Sequence, residues 1–306
     1  MSVLIVGSVA LDDIATPAEA HKNLLGGSAS YAAISASYFS PVQFVGIVGK
    51  DFPEEHLAFI KSRNIDLEGL QIADGETFRW SGKYHDDMNS RETLSVALNV
   101  FETFSPNLPT SYQDAGTILL ANISPELQHH VLDQIKNPGF VIADTMDLWI
   151  DIAKDSLIGL LARIDILILN DGEARQLTGE PNLMLAGKKI QSMGPKYVAI
   201  KKGEHGCLLF GENEIFSCPA FPLEEMLDPT GAGDTFAGGL AGHLAESVQV
   251  GKEVNFEDLK KGVVYGSVLA SFNVERFSLE RMKSLELSEV QTRLQKLKAI
   301  ADFGEI

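Results

Sequence analysis

The chain has 306 residues, with 25 Lys and Arg against 42 Asp and Glu, a formal charge of −17 at pH 7. That balance argues against nucleic acid and anionic membranes as partners, because both reward clustered Lys and Arg, and basic residues here gather no further than pairs such as Lys188-Lys189 and Lys260-Lys261. Two cysteines, Cys207 and Cys218, are too few for a disulfide framework or a four-cysteine zinc site.

The N-terminus lacks a basic segment ahead of an apolar run, and no stretch of about 18 apolar residues occurs. Both features predict a reduced, cytoplasmic protein. Short apolar runs at Val3–Val6, Val42–Val48, Thr117–Leu120, Phe140–Ala143, Ile166–Leu169 and Tyr197–Ile200 suit strands buried on both faces of a parallel sheet. Helical patterns lie between them: Ser28–Phe39, Pro53–Arg63, Glu126–Ile135, Ile150–Ala162, Asp171–Thr178 and Met184–Met193. Strand and helix alternate, which predicts βαβ crossovers and an α/β fold with helices on both faces.

Two stretches break the rhythm. From about Leu67 to Phe104 apolar residues alternate with polar ones, as in Phe78, Trp80, Tyr84 and then Leu94, Val96, Leu98, Val100. A period of two predicts antiparallel strands, a small sheet inserted in the α/β unit. Gly206–Phe221 reads as a hairpin. After Gly231 the chain reads as helical almost to its end, with a charged amphipathic helix over about Ser288–Ala301. No repeat or linker appears, so residues 1–306 are expected to form one domain carrying an insertion.

The strongest local signal is Asp228-Pro229-Thr230-Gly231-Ala232-Gly233-Asp234-Thr235-Phe236. Two glycines around a small residue let backbone N–H groups converge, and the helix that starts there adds its positive dipole end. An anion hole results without a cationic side chain. Asp234, in the first helical turn, can take a proton from an alcohol while the N–H groups hold charge on a phosphoryl group. No Gly-x-x-x-x-Gly-Lys occurs, and Phe236 stands where a dinucleotide fingerprint needs its third glycine.

That nine-residue segment resembles the C-terminal signature of the ribokinase-like (PfkB) carbohydrate and nucleoside kinases. Support extends over nearly the whole chain: Gly7-Ser8-Val9-Ala10-Leu11-Asp12, Gly26-Gly27 before a small-residue helix, Val45-Gly46-Ile47-Val48-Gly49-Lys50-Asp51, Asn170-Asp171-Gly172-Glu173, and Lys202-Gly203-Glu204-His205-Gly206. The resemblance implies a three-layer sandwich with a mostly parallel central sheet and a small antiparallel β lid, built from roughly residues 67–104 plus part of 8–25. It also assigns roles. Asp234 would be the base; Gly231, Ala232 and Gly233 the anion hole; Asp12, Gly26, Gly27 and Tyr31 the acceptor site; Asn170, Lys201, Gly203 and Gly206 the nucleotide site. Glu173 would hold Mg²⁺ through water, though Asn170 and Glu173 also read as a helix capping pair. Asp13 leaves the register of Asp12 open. In relatives the Asp matching Asp228 helps bind potassium, so the cofactors would be ATP, Mg²⁺ and K⁺; the late loop Ser271–Ser278 departs from the ribokinase pattern and leaves K⁺ open.

Tyr31 stands where the family often has Asn, so the acceptor pocket should differ from a ribokinase's. In the lid, Phe78, Arg79, Trp80, Tyr84 and Arg91 could touch substrate or pack lid against lid in a homodimer. The resulting expectation is an ATP-dependent sugar kinase acting on a hydroxyl, with a nucleoside kinase as the alternative and a non-catalytic binding homologue as the third reading.

Overall fold

In a computed structural model of the protein, residues 2–88, 90–249, 253–302 and 304 are described. In chain order the strands are β1 (Val3–Val6), β2 (Ala10–Ala15), β3 (Ala20–Gly26), β4 (Val42–Gly49), β5 (Ile65–Ala73), β6 (Phe78–Tyr84), β7 (Arg91–Ala97), β8 (Thr117–Leu120), β9 (Phe140–Asp144), β10 (Ile166–Asn170), β11 (Tyr197–Lys201), β12 (Cys207–Phe210) and β13 (Ile215–Cys218). The helices are α1 (Ser28–Ala36), α2 (Glu54–Lys61), α3 (Pro125–Asp133), α4 (Asp147–Ile152), α5 (Lys154–Leu161), α6 (Asp171–Thr178), α7 (Leu183–Gln191), α8 (Ala232–Gln249), α9 (Phe256–Asn273), α10 (Glu280–Ser284) and α11 (Leu287–Ala301).

All six apolar runs become neighbouring or near-neighbouring strands of one nine-stranded sheet, ordered β13-β12-β11-β10-β9-β8-β1-β4-β5. From β11 to β5 every pairing is parallel; the β12–β13 hairpin adds two antiparallel strands at one edge. Strands such as Val3–Val6 and Thr117–Leu120 are buried along their whole length, as a sheet covered on both faces requires. One apolar cluster joins β1, β4, α1, α8 and α9 on one face; a second joins β8, β10, α3, α5, α6 and α7 on the other. No helix among the described residues is long and apolar enough to cross a membrane.

A second sheet, ordered β3-β2-β6-β7, forms the lid. Its outer pairs are antiparallel, and the central β2–β6 pair runs parallel. The lid starts later than its alternation suggested. Residues 67–73 belong to β5, which pairs with β4 in the large sheet, and Asn99–Thr103 form a 3-10 turn. Alternation marks a strand but not the sheet that receives it. The single helix expected over Ile150–Ala162 is also corrected: it is two, α4 and α5, broken at Ala153, whose φ of −134° is not helical.

Parallel strands deliver their carboxyl ends to one edge of the sheet, where open α/β folds gather ligand-binding residues. Asp144, Asn170 and Lys201 are the last residues of β9, β10 and β11, and Asn170 and Lys201 are direct register partners. Helix α8 starts over the same edge. Its approach is set by small residues: a methyl group on Gly238 would fall 2.1 Å from the Ala32 carbonyl oxygen of α1. Ser35 donates to the Thr235 carbonyl at 2.6 Å and ties the two helices at that crossing.

Candidate active site

The turn before α8 is built around Gly231, whose φ of +73° favours glycine. A methyl group there would also lie 2.3 Å from the Tyr31 ring. The Thr235 N–H donates to the Gly231 carbonyl at 2.8 Å and starts the helix. Of the three expected anion-hole residues, Ala232 departs from its role: its N–H donates to the Pro229 carbonyl at 3.2 Å. The N–H groups of Gly231 and Gly233 make no backbone hydrogen bond among the described residues and lie at the positive end of the helix.

Asp234 follows in the first turn. Burial and the charge of Asp144 push its carboxyl up to about 7, while Lys201 and Arg91 act in the opposite direction. Lys201 reaches into the same space. Its Nζ lies 3.3 Å from both oxygens of Asp144, and its side chain is mostly buried. Burial pushes the ammonium down, but Asp144, Glu173 and Asp234 outweigh it and hold Lys201 above its ordinary value. Asp144 carried no motif; only the parallel register of β9, β10 and β11 places it beside Lys201.

Asn170 and Glu173 form the capping pair that their spacing allows. Asn170 Oδ1 accepts from the Glu173 N–H at 2.8 Å, and Glu173 Oε2 accepts from the Asn170 N–H at 2.7 Å. The cap engages only one Glu173 oxygen. Burial pushes that carboxyl up to about 7; Lys201 opposes the shift and Asp144 adds to it. Such a carboxylate gains from a nearby cation. Among the described residues no three His, Cys, Asp or Glu side chains are grouped as a metal cage. The Glu173 oxygen outside the cap suits Mg²⁺, which keeps several waters and takes few protein oxygens. Beyond Lys201 the chain turns through Gly203 and Gly206, both with positive φ, closed by a 2.7 Å bond from the Lys202 N–H to the Gly206 carbonyl.

On the acceptor side, Asp12 is buried and accepts from the Gly27 N–H. Burial, then Asp228, Asp234 and Asp13, push its carboxyl well above the usual range. A methyl group on Gly26 would fall 2.0 Å from the Asp12 carboxylate, so Gly26 leaves the space this side chain occupies. Asp13 instead accepts from the Asn23 N–H of β3 at 2.9 Å, where the β2–β3 register shifts, and Asp12 is the inward residue. Gly27, at φ +89°, starts α1.

Tyr31 does not line an open pocket. It is fully buried beneath Gly231, and burial with the Asp228 and Asp12 charges pushes its phenol well up. Asp228 accepts from the N–H groups of Thr230 and Ser278, each at 2.9 Å, and Asn273 Nδ2 donates to the Thr230 carbonyl at 2.9 Å. Asn273 Oδ1 stays buried with no partner. One carboxylate and one orphaned amide oxygen at this turn fit a monovalent cation.

The lid arginines divide. Arg79 is engaged, donating to Asn23 Oδ1 at 2.7 Å and Asp51 at 2.9 Å. Arg91 extends its charge toward Asp234 and Tyr84. The Thr230 hydroxyl donates to the Tyr84 hydroxyl at 3.1 Å, a link from the signature turn to the lid that no sequence motif marked.

The profile of the pfkB family carbohydrate kinases matches residues 4–284. The cytidine kinase of Thermococcus kodakarensis is 32% identical over 274 residues, 85% of this chain and 97% of its own. A putative ribokinase II from E. coli, in complex with ATP and Mg²⁺, superposes with a TM-score of 0.78 at 19% identity, covering 96% of this chain and 99% of its own. The nucleoside kinase of Burkholderia thailandensis in complex with inosine superposes with a TM-score of 0.78 at 17% identity, covering 97% and 99%. With its signature turn at the carboxyl edge of the parallel sheet and a family match over most of its length, the chain belongs to the pfkB family of carbohydrate kinases.

Proposed function

We propose that this enzyme transfers the γ-phosphoryl group of ATP to a hydroxyl, a primary one, on a small sugar or on the ribose of a nucleoside. The observation that carries the reading is the position of Asp234: a carboxyl with a pKa near 7, at the mouth of the Gly231–Gly233 turn and beside the buried Lys201. A base of that pKa is half-ionised near neutral pH and matched to removing an alcohol proton as the oxygen attacks phosphorus. The Gly231 and Gly233 N–H groups, with the α8 dipole, face the charge that grows on the phosphoryl oxygens. Asp12 accepts from acceptor hydroxyls and aligns the attacking one. Asn170, Gly203 and Gly206 line the nucleotide. Glu173 would hold Mg²⁺ through water, and Asp228 with Asn273 Oδ1 would hold K⁺. Bound Mg²⁺ neutralises charge across the phosphate oxygens.

A specific observation favours the nucleoside over the free sugar. Trp80 is the register partner of Asp12 across the parallel β2–β6 pair, so the indole and the hydroxyl-binding carboxylate share one face of the lid. An aromatic surface beside a sugar site suits a stacked base. The cytidine kinase relative, matched over nearly all its length, supports the same choice. The reading includes a cytoplasmic location and a homodimer formed through β7, whose Leu94 and Val96 are about half exposed on an edge strand.

The test is ATP consumption against panels of nucleosides and free sugars. Cytidine or another nucleoside should be turned over with the higher kcat/KM. Turnover of sugars alone would reverse the preference, and no turnover with any acceptor would leave the binding-homologue reading. Sedimentation of the wild type beside Leu94→Glu/Val96→Glu should show a dimer converted to a monomer.

A further inference from the structure

We propose that Lys201 is this protein's own cation for the transferred phosphoryl group, held by Asp144 until a nucleoside triphosphate displaces that contact. The inference rests on the kinase reading above and adds to it a pairing that no sequence motif announced.

Three observations carry it. First, a methyl group on Gly233 would lie 2.9 Å from Lys201 Nζ, so the ammonium reaches the space that the Gly231–Gly233 turn encloses. A cation beside a helix N-terminus meets like-signed partial charge, an arrangement that an anion seated between the two would relieve. Second, the Asp144 contact is loose. Both Nζ–oxygen distances are 3.3 Å, where a charge-assisted bond closes to about 2.7–2.9 Å. An ion pair built only for stability would be shorter, and a buried pair gives little stability in any case. Third, the β10–β11 register sets Lys201 opposite Asn170, one turn from Glu173, so the ammonium stands between the expected nucleotide residues and Asp234. In the transfer itself the acceptor oxygen–phosphorus bond forms, the bond from the γ-phosphorus to the bridging oxygen breaks, and the acceptor proton passes to Asp234. Lys201 exchanges no proton; it moves from carboxylate to phosphoryl oxygen.

Nucleotide binding without acceptor tests this. Calorimetry with AMP-PNP and with ADP, each with Mg²⁺, is compared for wild type and Lys201→Met. If Lys201 holds the γ-phosphoryl group, AMP-PNP affinity falls about 10-fold or more and ADP affinity less than about 3-fold. Equal losses, or none, overturn the proposal. Lys201→Met leaves Asp144 buried and unpaired, so the double variant Lys201→Met/Asp144→Asn is measured as well. It should keep the selective loss of AMP-PNP. A return to the wild-type preference would show that Lys201 serves only to satisfy Asp144, which also overturns the proposal. Because no acceptor is present, an error in the acceptor assignment leaves this result unaffected.

Discussion

At the scale of single residues, the site concentrates carboxyls whose burial disfavours the charged form. Asp12, Asp228, Glu173 and Asp234 are all pushed up, with burial as the first cause in each case. The catalytic consequence has a definite sign. A base must be ionised to accept a proton, so kcat/KM should fall as pH drops below about 7, and an acid limb near 4 would exclude Asp234 as the base. Asp234→Asn should lower kcat by about 10²-fold or more with nucleotide affinity nearly unchanged, and full activity would sink the mechanism. Stability runs the other way. A carboxyl whose folded pKa is raised contributes stability below its ordinary value that is lost as pH rises through the folded value. Asp234→Asn removes that loss. Its Tm should exceed the wild type's by about 2–4 °C at pH 8 and by little near pH 4, as calorimetry at the two pH values will show. A variant that is more stable yet inactive marks a group kept for chemistry rather than for the fold.

At the scale of elements, the lid is tied down at one corner. Asp51, after β4, accepts from the Thr77 N–H and hydroxyl, both at 2.7 Å, and from Arg79 at 2.9 Å, while Arg79 also donates to Asn23 of β3. One carboxylate thus joins the large sheet to both halves of the lid, and its hydrogen bonds with Thr77 and Arg79 hold it below the usual carboxylate range, against the effect of burial. Asp51→Ala should raise the acceptor KM several-fold, speed amide exchange in β6 and β7, and cost about 1–3 kcal/mol of stability. Unchanged exchange in the lid would refute the tie. This corner also shows where sequence reading stops. The segment around Asp51 was visible as a motif, and Arg79 as a lid cation, but their pairing depends on two sheets meeting. The runs at Val3–Val6 and Ile166–Leu169 were legible because burial on both faces leaves a continuous apolar string. Strand β5 was not, because it is an edge strand with exposed polar positions and reads like the lid strands that follow. The Gly231 turn and the Asn170–Glu173 cap were legible through local spacing. Asp144 was hidden, since its partner lies 57 residues away and only parallel register brings them together.

At the scale of the whole molecule, a protein of charge −17 must admit a polyanion. On the proposed reading, attraction comes from few groups: the α8 N-terminus, Lys201 and Arg91, with Mg²⁺ when bound. Lys201 is mostly buried and feels bulk salt weakly, whereas exposed acids are screened. The two contributions therefore separate with ionic strength. At 0.15 M salt the Debye length is about 8 Å and surface repulsion is short-ranged; near 0.01 M it is about 30 Å and reaches an approaching nucleotide. Lowering salt at constant free Mg²⁺ should raise the KM for ATP and slow its association, opposite to the behaviour of sites steered by a basic surface. Neutralising exposed acids at the opposite edge of the sheet, such as Glu212 and Glu214 in the β12–β13 turn, should flatten that dependence while leaving kcat unchanged. If instead low salt tightens ATP binding, local cations dominate at long range, and the acidic surface has no part in how the nucleotide approaches.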